Sequence, residues 1–232
     1  MVQDAQPLSP NAKDRHEGHG ADEEKTHANE GLQPDKVVKT RLKPGERRIQ
    51  ILQALAMMLE RPGAERVTTA SLAAQIGVSE AALYRHFASK AQMFEGLIDF
   101  IEQSVYGLLQ RIAEEDAEPG LKAHKMIAVL MQFSEKNPGM SRVMVGDALV
   151  LENDRLGQRM NHFFDRIEST FRQTLRDSSQ VQASPTPTVF CNQWASLLSS
   201  FVVGRLHRFV KSGFKKLPTE HLDVHLTMLL SK

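Results

Sequence analysis

The stretch from Leu72 to Phe87 constrains the fold of this chain more than any other. It reads as a short helix carrying Leu72, Ala73 and Ile76 inward, a turn at Gly77, and a second short helix anchored by Leu83 and Phe87. Thr68 or Thr69 caps the first helix, Gly77 ends it, and Ser79 caps the second, which the spacing carries through Phe87. Ser89 then caps a longer helix. Helix, glycine turn, helix is the helix-turn-helix arrangement.

Helical geometry gives the second helix distinct faces. With Leu83 as the inward direction and about 100° per residue, Phe87 lies about 40° away and Arg85 points almost directly outward. Ala81 and Ala82 flank Arg85, while Tyr84 and His86 stand on opposite sides at about 100° and about 60°. This layout suits a helix in a DNA major groove. The two alanines let the backbone come close and meet thymine methyl groups, and Arg85 reaches a guanine edge. Tyr84 and His86 face the two phosphate walls. Thr68, Thr69 and Ser79 at the helix starts, and Lys90 at the start of the next helix, supply further phosphate contacts near positive helix ends. The bland alternative is a short amphipathic helix whose Arg and His are merely solvated.

Charge follows the same division. The net charge over 232 residues is only +1, but Lys36 to Phe94 holds ten Lys/Arg against four Asp/Glu. Met1 to Asp35 holds three against eight, and Glu95 to Lys232 is balanced at sixteen each. A local basic block is the electrostatic footprint of a nucleic-acid binder, although a solvated charged surface explains charge alone equally well.

Residues 1–40 are polar and acidic, with no aromatic side chain, and are expected to be disordered. Residues 41–92 form the helix-turn-helix domain. Pro44 suits a first helical turn, Ile51, Leu52, Leu55 and Leu59 make one apolar stripe, and Pro62-Gly63 ends that helix. Residues 93–232 form a larger helical domain. Its patterns run from Phe94 to Ile112, then Leu121 to Lys136 with a stop at Asn137-Pro138-Gly139, then Asp154 to about Arg176, Pro187 to Val210, and His221 to Leu230. Gln180 to Pro187 reads as a loop. No strand alternation persists, so the expected fold is all-α. No apolar run is long enough for a membrane span, and the single cysteine, Cys191, fits a reducing cytoplasm.

The run "TTASLAAQIGVSEAALYRHFASKAQMF" resembles the helix-turn-helix of TetR-type bacterial regulators, with Val78, Ser79, Tyr84, His86, Phe87 and Lys90 at the matching positions. Most such regulators are ligand-responsive repressors. The resemblance implies a homodimer that binds palindromic double-stranded DNA, paired through roughly 187–211 and 221–231. Trp194, Leu197, Leu198, Phe201, Val202, Leu206 and Phe209 supply apolar surface there, which an internal core explains equally well. Outside the reader, "RRIQILQALAMMLE", "SEKNPGMSRVMVGDALVLENDRL", "FFDRIESTFRQTL" and "GRLHRFVKSGFKKLPTEHLD" are similar to the nucleoid occlusion branch of the family. That narrower likeness implies a nucleoid-associated cytoplasmic protein. Bound to dispersed chromosomal sites, it would engage the tubulin-like division protein FtsZ and disrupt its polymers. Phe100, with the Lys136-Asn137 corner, is the expected FtsZ contact; the alternative makes Phe100 core and Asn137-Pro138-Gly139 a plain helix end.

No enzyme, cofactor or metal is expected. The chain lacks a phosphate-cradling G-x-x-x-x-G-K-S/T loop. His221 and His225 are four apart, but two ligands are too few for a structural zinc site. Cys191 lies in an apolar helix and reads as core.

Overall fold

The computed structural model describes residues 45–61 and 67–230. The acidic tail, Pro44 and the Pro62-Gly63 dipeptide lie outside the described residues. Among the described residues every regular element is a helix. The first three are α1 (Glu46–Leu59), α2 (Thr69–Gln75) and α3 (Glu80–Tyr84). Ile51, Leu55 and Leu59 of the predicted α1 stripe are buried, with Leu52 packed at its edge. They meet Leu72, Ala73, Leu83 and Phe87, so three short helices share one small core.

The following helix, α4 (Lys90–Ala113), carries that core onward through Phe94, Leu97, Ile98 and Ile101. It packs on α5 (Pro119–Lys136), α6 (Pro138–Met144) and α7 (Asp154–Leu175). Then come α8 (Ser179–Gln182), α9 (Pro187–Lys211) and α10 (Leu222–Leu230). The helix α7 shows how patterning sets position. Leu156, Met160, Phe163, Ile167, Phe171 and Leu175 recur at intervals of three and four, and all six are buried.

Pro119 is the first residue of α5, and Glu118 caps it by accepting from the Leu121 amide. Two expectations are corrected. Asn137-Pro138-Gly139 likewise opens α6 rather than only closing α5, because a proline without its N–H fits a first helical turn. Within the expected loop at 180–187, a single turn, α8, forms under a Ser178 cap. Of the apolar residues on α9, Trp194, Leu198, Val202, Leu206 and Phe209 belong to the subunit's own core. Cys191 is buried as expected, and burial raises its thiol pKa.

Two long-range devices fix α1 against the body. Gly139 of α6 lies so close to α1 that a Cβ there would stand 2.0 Å from the Ala56 carbonyl oxygen. Beside it, Arg142 Nη1 donates to the Leu59 carbonyl at 3.3 Å, and its Nε donates to Asp147 at 2.8 Å. Asp147 also binds Lys211 at the end of α9, at 2.6 Å. A polar chain therefore runs from the end of α1 to the end of α9.

Burial works to raise the Asp147 carboxyl pKa, but hydrogen bonds from Lys211 and Arg142 outweigh it and hold the group below its usual range. Asp147→Asn is expected to lower stability at neutral pH by about 1–3 kcal/mol, the worth of the charged hydrogen bonds that the carboxylate accepts from Arg142 and Lys211. A depressed carboxyl stabilises the fold fully above its unfolded pKa, ~3.9, and loses that contribution as pH falls through the folded value. Urea unfolding of both proteins should give a constant difference from neutral pH down to about pH 5, and a shrinking one below ~3.9. An equal difference at every pH would show that the charge is irrelevant.

Candidate nucleic-acid interface

The first helix of the reader is set by its caps. Thr68 Oγ1 accepts from the Ser71 amide, and Ser71 Oγ accepts from the Thr68 amide, a reciprocal capping box. The exit is equally specified: Val78 N–H donates to the Ala73 carbonyl at 3.0 Å and Gly77 N–H to Ala74 at 3.1 Å. That pair of hydrogen bonds requires a left-handed residue between helix and turn, and Gly77 supplies it with φ 66°. Ser79 then caps α3 by accepting from the Ala82 amide.

A contact between the two helices involves one predicted site residue. Thr69 Oγ1 donates to Glu80 at 2.6 Å, tying the start of α2 to the start of α3. Ala81, Tyr84, Arg85 and His86 are exposed, and Ala82 is partly so, while Leu83 and Phe87 are fully buried. The outward side of α3 and its exit thus holds the residues whose spacing placed them there. Regular α-helix ends at Tyr84 rather than Phe87, a correction of one turn. Arg85 keeps helical angles and the Phe87 amide still donates to Leu83, so Phe87 faces inward as expected.

The exit of that helix is held by a residue of α1 outside the predicted set. Arg48 of α1 donates to the His86 carbonyl at 2.9 Å, and its guanidinium lies 4.0 Å from the centre of the Phe87 ring. This stacking and hydrogen bond fix the exit of α3 against α1. A signal existed: Arg48 precedes Ile51 by three, which places it beside the buried stripe of α1.

Lys90, the first residue of α4, sits behind the exit of α3 with Ser89 as its cap. Its ammonium forms an ion pair with Glu152, which lies between a 3-10 turn at Asp147–Leu149 and α7. Nothing in the sequence links positions so far apart.

The other predicted residues lie on α4 and at the end of α5. Phe100 is 47% exposed on α4. Its neighbours Asp99 and Glu102 are both clasped at 2.6 Å by Arg159 of α7. The Glu102 hydrogen bond, acting against burial, raises the Arg159 pKa above its ordinary value. Lys136 is exposed at the end of α5, and Asn137 is half-buried, its Nδ2 donating to the Phe133 carbonyl at 2.7 Å. Gly139 locks that corner to α1. His221 and His225 have ring centres 6.3 Å apart, and His225 Nδ1 lies 2.9 Å from the Arg205 guanidinium. Among the described residues no group of three or more potential metal ligands is found, and no helix is long and apolar enough to cross a membrane.

Comparison with known proteins extends beyond the reader. Residues 51–97 match the family described as bacterial regulatory proteins, tetR family. Residues 121–232 match the SlmA-like family described as tetracyclin repressor-like, C-terminal domain. The chain is 45% identical over 190 residues to the nucleoid occlusion factor SlmA of Colwellia psychrerythraea, covering 82% of this chain and 95% of that protein. It is 49% identical over 184 residues to SlmA of Vibrio cholerae, covering 79% and 93%. Solved structures agree on the fold. A TetR-like transcriptional regulator from Rhodococcus superposes with TM-score 0.65 at 16% identity, over 83% of this chain and all of that one. The regulator FadR of Bacillus subtilis, in complex with stearoyl-CoA, gives 0.63 at 16% identity, over 79% and 97%. With a TetR-type reader, an SlmA-like body and these identities along most of its length, the chain belongs to the SlmA family of nucleoid occlusion factors.

Proposed function

We propose that two copies of this chain bind a palindromic duplex through α3 and, when bound, engage FtsZ and break down its polymers over the nucleoid. No chemical step is involved. The observation that carries the reading is that likeness to SlmA continues through the body, well past the DNA-reading helices. Within the reader, Ala81, Ala82 and Arg85 are assigned to base edges. Thr68, Thr69, Ser79, Tyr84, His86 and Lys90 are assigned to the backbone.

Dimerisation is assigned to α9 and α10. After the subunit's core is filled, Phe190 and Leu197 of α9 and Val224 and Met228 of α10 remain exposed. Gly204 has no atom within 4 Å of an added Cβ, leaving room for a second helix backbone. A groove of about 790 Å³ beside Phe201, Gly204 and Met228 belongs to the same face. A dimer places two copies of α3 on successive major-groove faces, so that a palindrome matches a two-fold axis.

FtsZ is assigned to Phe100 with Lys136 and Asn137. The test is sedimentation of FtsZ polymers formed with GTP. Adding the chain with a palindromic duplex selected on it from random sequence should deplete the pellet. Phe100→Ala and Lys136→Ala should weaken that effect by roughly thirtyfold each, as central interface residues do, while duplex affinity stays within about twofold. Loss of both activities together, or of neither, counts against the assignment. Undiminished polymer, with duplex release by a small metabolite, would make the chain a ligand-responsive repressor instead.

A further inference from the structure

Lys90 and Glu152 raise a question the DNA-reading assignment leaves open. A lysine meant for a phosphate is already held by a carboxylate in the free protein. Glu152 is tucked in, its side chain 13% exposed, and Lys90 is 28% exposed. The residues just before Glu152 behave oppositely: Val150 is 78% exposed and Leu151 63%. Asp147 anchors the near end of this segment to Arg142 and Lys211, and Glu152 anchors the far end to Lys90. Three ion pairs, at two anchor points, therefore hold down a segment whose middle presents two uncovered apolar side chains.

We infer that Glu152 occupies the place of a DNA phosphate on Lys90, and that phosphate displaces it when α3 docks, freeing the far end of the Val150–Leu151 segment. This rests on the reading of α3 as the DNA contact. Three physical points carry it. A partly exposed ion pair is weak, so exchanging one oxyanion for another at the same ammonium is readily reversible. A carboxylate beside an arriving phosphate is repelled by it, which favours release once the phosphate is seated. The Asp147 anchor is independent of Lys90, so release acts at one end only. DNA binding thereby changes a surface in the body, and by linkage a protein that holds the freed segment tightens DNA binding to the same degree.

Glu152→Gln tests the exchange in the full chain. With the carboxylate gone, Lys90 is available to phosphate from the outset. Affinity for the selected duplex, by fluorescence anisotropy, is expected to rise roughly three- to thirtyfold per dimer. Lys90 neutralises the same phosphate in both proteins, so the change is expected in affinity and not in the number of phosphates neutralised. Unchanged affinity overturns the inference, as does weaker binding, which would mean that Glu152 merely positions Lys90. If the wild-type chain binds no duplex, the DNA-reading assignment falls and the inference falls with it. A second readout is independent of how Glu152→Gln folds: an environment-sensitive fluorophore on Val150→Cys, selective because Cys191 is buried. Its emission should shift when duplex is added, and Lys90→Gln should show the shifted emission without duplex. An emission that ignores both changes overturns the release.

Discussion

Gly139→Ala is expected to destabilise the protein and to spoil DNA binding, although alanine is the better helix former by about 1 kcal/mol. The added methyl group would lie 2.0 Å from the Ala56 oxygen and 2.9 Å from the Ala56 carbonyl carbon, both backbone atoms of α1. A backbone inside a packed helix does not yield as a side chain tip does, so α6 and α1 must separate. Separation strains the Arg142 bond to Leu59 as well. We expect a loss of about 3 kcal/mol, the upper end for overpacking, and a melting temperature lower by roughly 6–12 °C. Gly107 of α4 is the control, since a Cβ there meets nothing within 4 Å. Gly107→Ala should be neutral or stabilising by up to about 1 kcal/mol. Calorimetric or circular dichroism melts of both variants decide the matter. Equal melting temperatures would mean that α1 and α6 can part freely. Because α1 holds the exit of α3 through Arg48, a displaced α1 also re-aims the reader, and duplex affinity should fall with stability.

The contrast between Gly139 and Leu83 shows what the chain discloses before its fold is known. Leu83 and Phe87 are legible as anchors because helical periodicity is a local property, and cap residues such as Ser79 and Ser89 act within four positions. Arg85 was legible for the same reason, as the residue opposite Leu83. Gly139 carries no local sign of a close approach, because Asn-Pro-Gly closes one helix and opens another with the same residues. Its close approach to Ala56 depends on how two helices distant in sequence cross. Glu152 and Asp147 belong to the same class: their partners Lys90 and Lys211 lie 62 and 64 positions away. Local chemistry marks the DNA-facing side, whereas the parts that aim it are set by tertiary packing.

Arg85→Ala is expected to have the largest effect on DNA recognition. Arg85 is exposed on the outward side at the end of α3, and no described partner is seen holding its guanidinium. Flanking Ala81 and Ala82 are small enough to let the backbone into the groove. A bidentate arginine contact to guanine is worth about 1–3 kcal/mol of discrimination. A dimer makes it twice, so the loss should be about 2–6 kcal/mol, roughly thirtyfold to ten-thousandfold in affinity for the selected duplex. Binding to a scrambled duplex should weaken much less, by the single charge lost per subunit. The Arg85 position lies away from the Leu83–Phe87 core, so the melting temperature should stay within about 2 °C, as for a surface substitution. Anisotropy titrations with both duplexes separate the possibilities. Parallel losses on the selected and scrambled duplexes would demote Arg85 to a phosphate contact. Loss on neither would remove the outward side of α3 from the interface.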